Sequence, residues 1–518
     1  MSRHSIGFVL GLSLFVLLIL LPPFDSFESS AEQRLAESDA ELAPAELAHS
    51  MQKVCALLVL MVVWWLTEAI PLPATALLPA ALLPLLHVSG LHRGGAVELS
   101  LGAVVTHYAS PVIYLFLGGF LLAAAMRKWE LDRRLTLWLL TRGRLADDAR
   151  HILLAMMALS ALLSMWISNT ATTALMLPLG LGVLSSMGAR AGQSRFGTAL
   201  MLGIAWSASV GGIGTIIGTP PNGIALGILH AAMSDRPDFV PIDFLDWMLF
   251  GVPYVVLFIP VIWAVLLKIF PPESLQISGG RQRLLSEFAA LGPLNRGAAG
   301  TIAVFGLAAG LWVLMPFSAQ LLPAALARQL AWLDEYAVGI LAGTLLFLIP
   351  VELKQGKFLL DWSDTRFVDW GTLILFGGGI ALSDALFKTG LAAWMAASFV
   401  GLFGTPSTLV LMFAVVLLVD LLTEVTSNTA VTSMMVPIVI SVAAATGESP
   451  VALTIATALA ASMAFMLPVA TPPNALVYST GFIELKDMVR AGAVLDILGW
   501  LFTVAILVVF AGWLAGLF

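Results

Sequence analysis

Apolar residues in this chain fall in long blocks. Residues 7–22, 56–66, 301–316 and 497–518 are almost purely apolar. Such blocks approach or reach the roughly 20 residues that an α-helix needs to cross a bilayer. They extend from one end of the chain to the other, so the pattern predicts one integral, all-α membrane domain with no separate soluble module. Two kinds of polar interruption stand out. Ser-Asn-Thr occurs at 168–170 and 427–429, and Thr-Pro-Pro-Asn at 219–222 and 471–474. The second cannot continue a helix, because each proline removes an N–H donor and clashes with the preceding turn. A break at membrane depth is tolerated only where the freed backbone is buried or lines a cavity.

The interruptions belong to a longer repeat. SNTATTALMLP (168–178) returns as SNTAVTSMMVP (427–437), with seven of eleven positions identical. YLFLGGFLLAAAMRKWEL (114–131) returns as LILFGGGIALSDALFKTGL (373–391), matching Phe116, Gly118, Gly119, Ala125, Lys128 and Leu131 to Phe376, Gly378, Gly379, Ala385, Lys388 and Leu391. GTPPNGIALG (218–227) returns as ATPPNALVYS (470–479). Three blocks in one order at nearly constant offset imply two homologous halves. Paired halves with broken helices are the mark of secondary transporters, whose sites form where the halves meet.

Composition narrows the class further. Hydrophobic residues make up 59% and charged residues 11%, against roughly 25% charged in soluble domains. The net charge of −7 comes with no basic tail or cluster suited to nucleic acid. The single Cys55 excludes an intrachain disulfide and reads as a packing residue. The fifteen tryptophans read as interface anchors and packing groups, the methionines as core. Residues 6–21 resemble a signal peptide, but no small-x-small cleavage site follows directly, so they are expected to remain as a first span. Residues 25–52 read as an acidic extramembrane segment, a short surface helix or solvated connector. No G-x-S-x-G, HExxH, Walker A or CxxC sequence is present, so an enzyme is not expected. A pump would need a nucleotide domain, and broken helices in two halves suit alternating access better than a channel.

With WWLTEAIPLPATALLP (64–79) and SASVGGIGTIIGTPPN (207–222), the paired SNT and TPPN motifs make the chain, from about residue 52 to 518, resemble the divalent-anion/sodium symporter family. That family carries dicarboxylates, citrate or sulfate. The resemblance implies eleven spanning helices plus two re-entrant hairpins with SNT at their tips. It also implies a homodimer and an elevator motion of a transport domain against a scaffold. Residues 1–51 would hold the first span and the acidic segment. Scaffold helices would occupy 52–148 and 296–402, and the two transport halves 149–272 and 403–518. With a cytoplasmic N-terminus and an extracytoplasmic C-terminus, the segments 1–5, 127–150, 188–196, 268–298, 352–370 and 483–491 lie inside. They hold all but six of the 25 lysines and arginines, in line with the positive-inside rule. The expected location is the inner (plasma) membrane.

The motif segments offer unusual chemistry. From Ser160 to Met187, and in 207–229 and 462–482, no charged side chain occurs; between Thr423 and Gly447 there is only Glu424. No arginine or lysine clamps an anion there. Hydroxyls, amide oxygens and carbonyls are hard donors that suit hard cations, and the lack of carboxylates favours a monovalent ion over calcium. Bound sodium would then supply the charge that an anion needs. The family resemblance implies a first sodium site of Ser164, Ser168, Asn169 and the Gly218 carbonyl. Its counterpart would be Thr423, Ser427, Asn428 and the Ala470 carbonyl. It further implies that substrate carboxylates meet Asn169, Thr170, Asn428 and Thr429, with Thr219, Thr471 and Pro472 nearby. Two equivalent donor clusters suit a substrate with a carboxylate at each end.

The expectation is therefore a sodium-coupled importer of C4-dicarboxylates such as succinate, malate or fumarate, moving two or more sodium ions. An antiporter or a sodium-sulfate symporter of the same family is the alternative. Glu424 reads as either a proton site or, preferably, an acid that anchors hairpin backbone. Glu68, Asp384 and Asp420 read as structural, and His107 carries no assigned role.

Overall fold

The computed structural model describes residues 3–142, 148–236, 239–274 and 280–514. Residues 143–147 and 275–279, within two of the stretches expected inside the cell, lie outside the described residues. So do 515–518, at the end of the last apolar block. Nine helices among the described residues are long and apolar enough to cross a membrane, or ten if Leu391–Phe403 and Thr408–Thr423, bent by 109°, count as one. This is fewer than the eleven spans expected. The difference lies in the shorter apolar helices Leu72–Leu85, Ala149–Ser164, Glu335–Leu348 and Pro450–Ala460. A helix of 14 residues rises only about 21 Å, short of a hydrocarbon core of roughly 30 Å.

The first apolar block is the helix Arg3–Leu20, which packs along Pro44–Thr67. Phe8 stacks on Trp64 with ring centroids 5.2 Å apart. The acidic segment is more than a solvated connector. Its first part is the helix Asp25–Ala36, which buries Phe27 and Ala31 completely. Phe27 meets the edge of Trp394 at 4.8 Å, so one apolar side of an otherwise acidic helix is used to dock it. Two small antiparallel ribbons, Ser89–His92 with Gly95–Glu98 and Pro350–Glu352 with Lys357–Phe358, are the strands among the described residues.

The repeated glycine block has a packing reason. A Cβ on Gly118 would lie 2.0 Å from the Gly339 carbonyl oxygen, and one on Gly378 would lie 2.2 Å from that of Ala76. Small residues let membrane helices approach backbone to backbone where no hydrophobic driving force separates protein from lipid. The matched residues Phe116 and Phe376 touch each other edge to face at 4.6 Å. A residue that contacts its own counterpart lies where the two copies meet. The matched lysines end in separate networks: Lys128 bridges Asp361 and Asp364 at 2.8 Å each, and Lys388 holds Asp384 at 2.7 Å. His107 also reaches Asp384, at 3.0 Å.

The motif-bearing helices are interleaved. Asn169–Ser186, which begins at the first SNT, packs on Pro472–Tyr478, which begins at the second TPPN. Asn428–Thr446 packs likewise on Pro220–Met233. Each half thus supports the other at the point where both are broken.

Candidate functional site

Each break is produced locally. The helix Ala149–Ser164 stops before Ser168, whose backbone is extended (φ −55°, ψ 144°) and whose Oγ accepts the N–H of Ala171 at 3.3 Å. A serine N-cap of this kind starts the next helix at Asn169. Thr408–Thr423 and Asn428–Thr446 repeat the backbone break around Ser427 (φ −61°, ψ 130°), whose side chain makes no cap hydrogen bond. At TPPN the prolines start helices. Thr219 (φ −147°) and Thr471 (φ −140°) are extended N-caps, and the paired prolines occupy the first turn, where a missing N–H costs nothing. The Thr471 hydroxyl accepts the N–H of Asn474 at 3.3 Å.

The breaks gather oxygen atoms. The Ser164 hydroxyl donates to Asn169 Oδ1 at 2.7 Å, and the Thr423 hydroxyl to Asn428 Oδ1 at 2.5 Å. The same relation thus occurs in both copies. A Cβ built on Gly212 would lie 2.7 Å from Asn169 Oδ1 and 3.1 Å from the Gly218 carbonyl. Those two oxygens therefore converge on one point, and a side chain at 212 would fill it. In the second copy the Thr423 hydroxyl also reaches the Ala461 carbonyl at 3.1 Å.

The TPPN asparagines had no role assigned from sequence, and they hold the breaks together. Asn222 Nδ2 donates to the carbonyls of Gly212 at 3.0 Å and Thr215 at 2.8 Å. Asn474 Nδ2 donates to those of Ala464 and Leu467, both at 3.0 Å. Both asparagines are fully buried. The separations, ten and seven residues back, are the same in each copy. Each amide satisfies two carbonyls that the lost helix would have bonded, an accounting that buried backbone demands. The signal was available: the asparagine recurs in both motifs.

A cleft of about 240 Å³ opens between the two copies. At roughly 30 Å³ per water, that is room for about eight waters, the scale of a small metabolite. Ser168, Asn169, Gly218 and Thr219 line it from the first half, and Ser427, Asn428, Thr429, Ala470, Thr471 and Pro472 from the second. Ser164 and Thr423 lie behind this wall, fully buried, bonded to Asn169 and Asn428. Thr170 is the exception: it is exposed and does not line the cleft, whereas its counterpart Thr429 is buried and does. Glu68, Asp369, Thr372 and Phe120 complete the wall from outside the motifs. A second crevice of about 290 Å³ shares Phe120, Ser168 and Asp369 with the cleft and reaches Arg127, Glu130 and Arg133.

Glu424 has a structural task. Its Oε1 accepts the N–H groups of Phe465 at 2.6 Å and Met466 at 2.8 Å, and its Oε2 that of Leu467 at 3.0 Å. It anchors backbone as the sequence reading preferred, but that of the unwound chain ahead of the second TPPN and not of the hairpin that carries it. Glu68, read as structural from sequence, instead reaches the cleft.

A sequence profile of the sodium:sulfate symporter transmembrane region matches residues 42–517. The sodium-dependent dicarboxylate transporter SdcS of Staphylococcus saprophyticus is 35% identical over 517 residues, covering 98% of this chain and 90% of that protein. The SdcS of Staphylococcus aureus strain USA300 is 33% identical over 461 residues, covering 87% and 84%. Among solved structures, the YdaH transporter of Alcanivorax borkumensis superposes with a TM-score of 0.55 at 16% identity, covering 88% of this chain and 98% of that one. MtrF of Neisseria gonorrhoeae gives 0.54 at 14%, covering 93% and 97%. At these identities the two structures bear on the fold alone.

Proposed function

The chain belongs to the sodium:sulfate symporter family, and on that premise we propose that it imports C4-dicarboxylates together with sodium. The observation that carries this reading is the pair of matched oxygen clusters in one cleft whose lining holds no lysine, arginine or histidine. The names of the similar SdcS proteins point the same way. Sodium 1 is held by Ser164, Ser168, Asn169 and the Gly218 carbonyl, and sodium 2 by Thr423, Ser427, Asn428 and the Ala470 carbonyl. Each ion lies next to an asparagine whose amide N–H groups remain free to meet a carboxylate. The substrate's two carboxylates then bridge Asn169 and Thr219 to Asn428, Thr429 and Thr471.

Cation and anion bind cooperatively because each offsets the other's charge in a cleft of low dielectric. More than two sodium ions per dianion makes the cycle electrogenic. The homodimer, the inner-membrane location, the two re-entrant hairpins and the sliding of segments 149–272 and 403–518 against 52–148 and 296–402 belong to the same proposal. On the expected topology the crevice at Arg127 and Arg133 faces the cytoplasm.

Uptake of labelled succinate into proteoliposomes tests the reading. Accumulation should follow an imposed inward sodium gradient and stop in Asn169→Ala and Asn428→Ala. Uptake indifferent to sodium, or counterflow of dicarboxylate without it, refutes symport. Sulfate competing better than succinate refutes the substrate class.

A further inference from the structure

The wall of the cleft carries the wrong sign for its cargo. The ionisable residues that line it are Glu68 and Asp369, both acids. Asp369 is committed to local structure: Oδ1 accepts the N–H of Thr372 at 3.0 Å and Oδ2 its hydroxyl at 2.6 Å, capping the helix Trp370–Thr389. Glu68 is not. It is exposed, and its carboxylate has no hydrogen-bond or ion-pair partner among the described residues.

Its backbone is also uncommon. Glu68 ends the helix Pro44–Thr67 in the left-handed region, φ 51° and ψ 40°, which a residue with a Cβ rarely adopts unless its surroundings over-determine it. They do so here. The Glu68 N–H donates to the Trp64 carbonyl, and His4 Nδ1 lies 2.9 Å from the Glu68 carbonyl. Three residues earlier the Trp65 carbonyl accepts the Thr426 hydroxyl at 3.1 Å, and Arg3 reaches the carbonyls of Leu66 and Val425. The turn carrying Glu68 is therefore pinned against the tip of the second SNT unit. A glycine or asparagine would fit this conformation with less strain, so the acid is not there for the backbone's sake.

We propose that Glu68 is a charge gate: a fixed negative charge that keeps the dianion out of the cleft until sodium has bound. The inference rests on the symport reading above. An empty cleft with two wall carboxylates repels a dianion. Two bound sodium ions cancel the wall charge, and a further sodium makes the cleft attractive. Glu68 thus suppresses sodium-free entry of substrate, the leak that would dissipate the gradient, and makes the sodium dependence steep. It does this from a turn outside both motifs, so removing its charge leaves the sodium ligands in place.

The test is labelled succinate uptake into proteoliposomes holding the full chain, in sodium and with choline replacing sodium. Glu68→Gln keeps size and backbone but drops the charge. Its sodium-free uptake should rise about tenfold over wild type, the order expected for one charge removed beside a dianion, and its sodium titration should become less steep. Glu68→Asp keeps the charge and should hold sodium-free uptake at the wild-type level. Glu68→Gly relieves the left-handed turn while removing the charge, and should leak as Glu68→Gln does. Sodium-free uptake in Glu68→Gln equal to wild type overturns the gate, as does an Asp variant that leaks like the Gln variant. A wild-type protein that takes up no succinate even with sodium overturns the symport reading itself, and the gate with it.

Discussion

The sharpest prediction concerns Asn474. Replacing it with alanine removes two hydrogen bonds of 3.0 Å to the carbonyls of Ala464 and Leu467, at a residue with no exposure to solvent. Leaving a buried polar group unpaired costs about 1–3 kcal/mol; that falls on the Ala464 carbonyl, while the Leu467 carbonyl keeps the N–H of Ala470 at 3.2 Å and loses only one of its two bonds, about 1 kcal/mol. Part of this is returned, because Asn474 Oδ1 is itself buried without a partner and disappears with the side chain. A net cost of about 2 kcal/mol remains. The loss falls on segment 464–474, which contains the Ala470 carbonyl assigned to sodium 2. A segment that must be re-ordered before it can bind lowers apparent affinity by the cost of ordering it. At about 1.4 kcal/mol per decade, the half-saturating sodium concentration should rise by about thirtyfold.

Purified protein is titrated with sodium while its melting temperature is followed, because a ligand that binds only the folded state raises apparent stability. Asn222→Ala, which removes the matching bonds of 3.0 and 2.8 Å, should weaken sodium by a similar factor. A folded Asn474→Ala protein whose sodium midpoint stays within twofold of wild type refutes the claim that this amide shapes the ion site.

Other substitutions follow from the same geometry. Ser164→Ala and Thr423→Ala each delete a hydroxyl bonded to an asparagine oxygen, at 2.7 and 2.5 Å, and should each raise half-saturating sodium in uptake assays by about tenfold, while Thr423→Ser stays close to wild type. Glu424→Ala strands the N–H groups of Phe465, Met466 and Leu467, at about 1–3 kcal/mol each, and should lower the melting temperature even without sodium. Gly118→Ala drives a methyl to within 2.0 Å of the Gly339 carbonyl oxygen and should destabilise by about 2 kcal/mol. Gly306→Ala, in the helix Arg296–Leu314 with nothing within 4 Å of the new methyl, should raise the melting temperature through about 0.5–1 kcal/mol of helix propensity.

Much of the site was readable because it is written twice. Matched motifs at nearly constant offset marked Asn169 and Asn428, the family resemblance added Ser164 and Thr423, and the structure brings each hydroxyl to its asparagine. Proline chemistry marked the breaks, because a missing N–H acts locally. What escaped depends on tertiary placement. Glu68 reaches the cleft through a left-handed turn pinned by His4 and by its neighbours' bonds to the second SNT tip, none of which follows from WWLTEAIP as a string. The helix Asp25–Ala36 is acidic by composition, and its burial rests on Phe27 finding Trp394, far away in sequence. The divergence of Thr170 and Thr429 is a case where repeated letters mislead. Identical residues in two copies meet different neighbours, and one ends exposed while the other is buried.

The interleaving of the halves gives the proposed coupling a physical route. In that proposal sodium 1 joins Asn169, the first residue of Asn169–Ser186, to the carbonyl of Gly218, just ahead of Pro220–Met233. Both helices lean on the other half: the former on Pro472–Tyr478, the latter on Asn428–Thr446. These partner helices begin at Pro472 and Asn428, next to the ligands of sodium 2. An ion at either site therefore restrains the helix ends that frame the other, and the ordering cost met by the first ion need not be met again by the second. Each proposed ion site is built within one half, but the helices that start at Asn169 and Pro220 are braced by the other half, which makes partial loading the least ordered state. The order parameter to measure is hydrogen exchange of the amides of 464–470 at saturating and at zero sodium. Protection of that segment should be lost in Ser164→Ala, although residue 164 touches only the first site. Protection unchanged by that substitution would show the two sites to be independent.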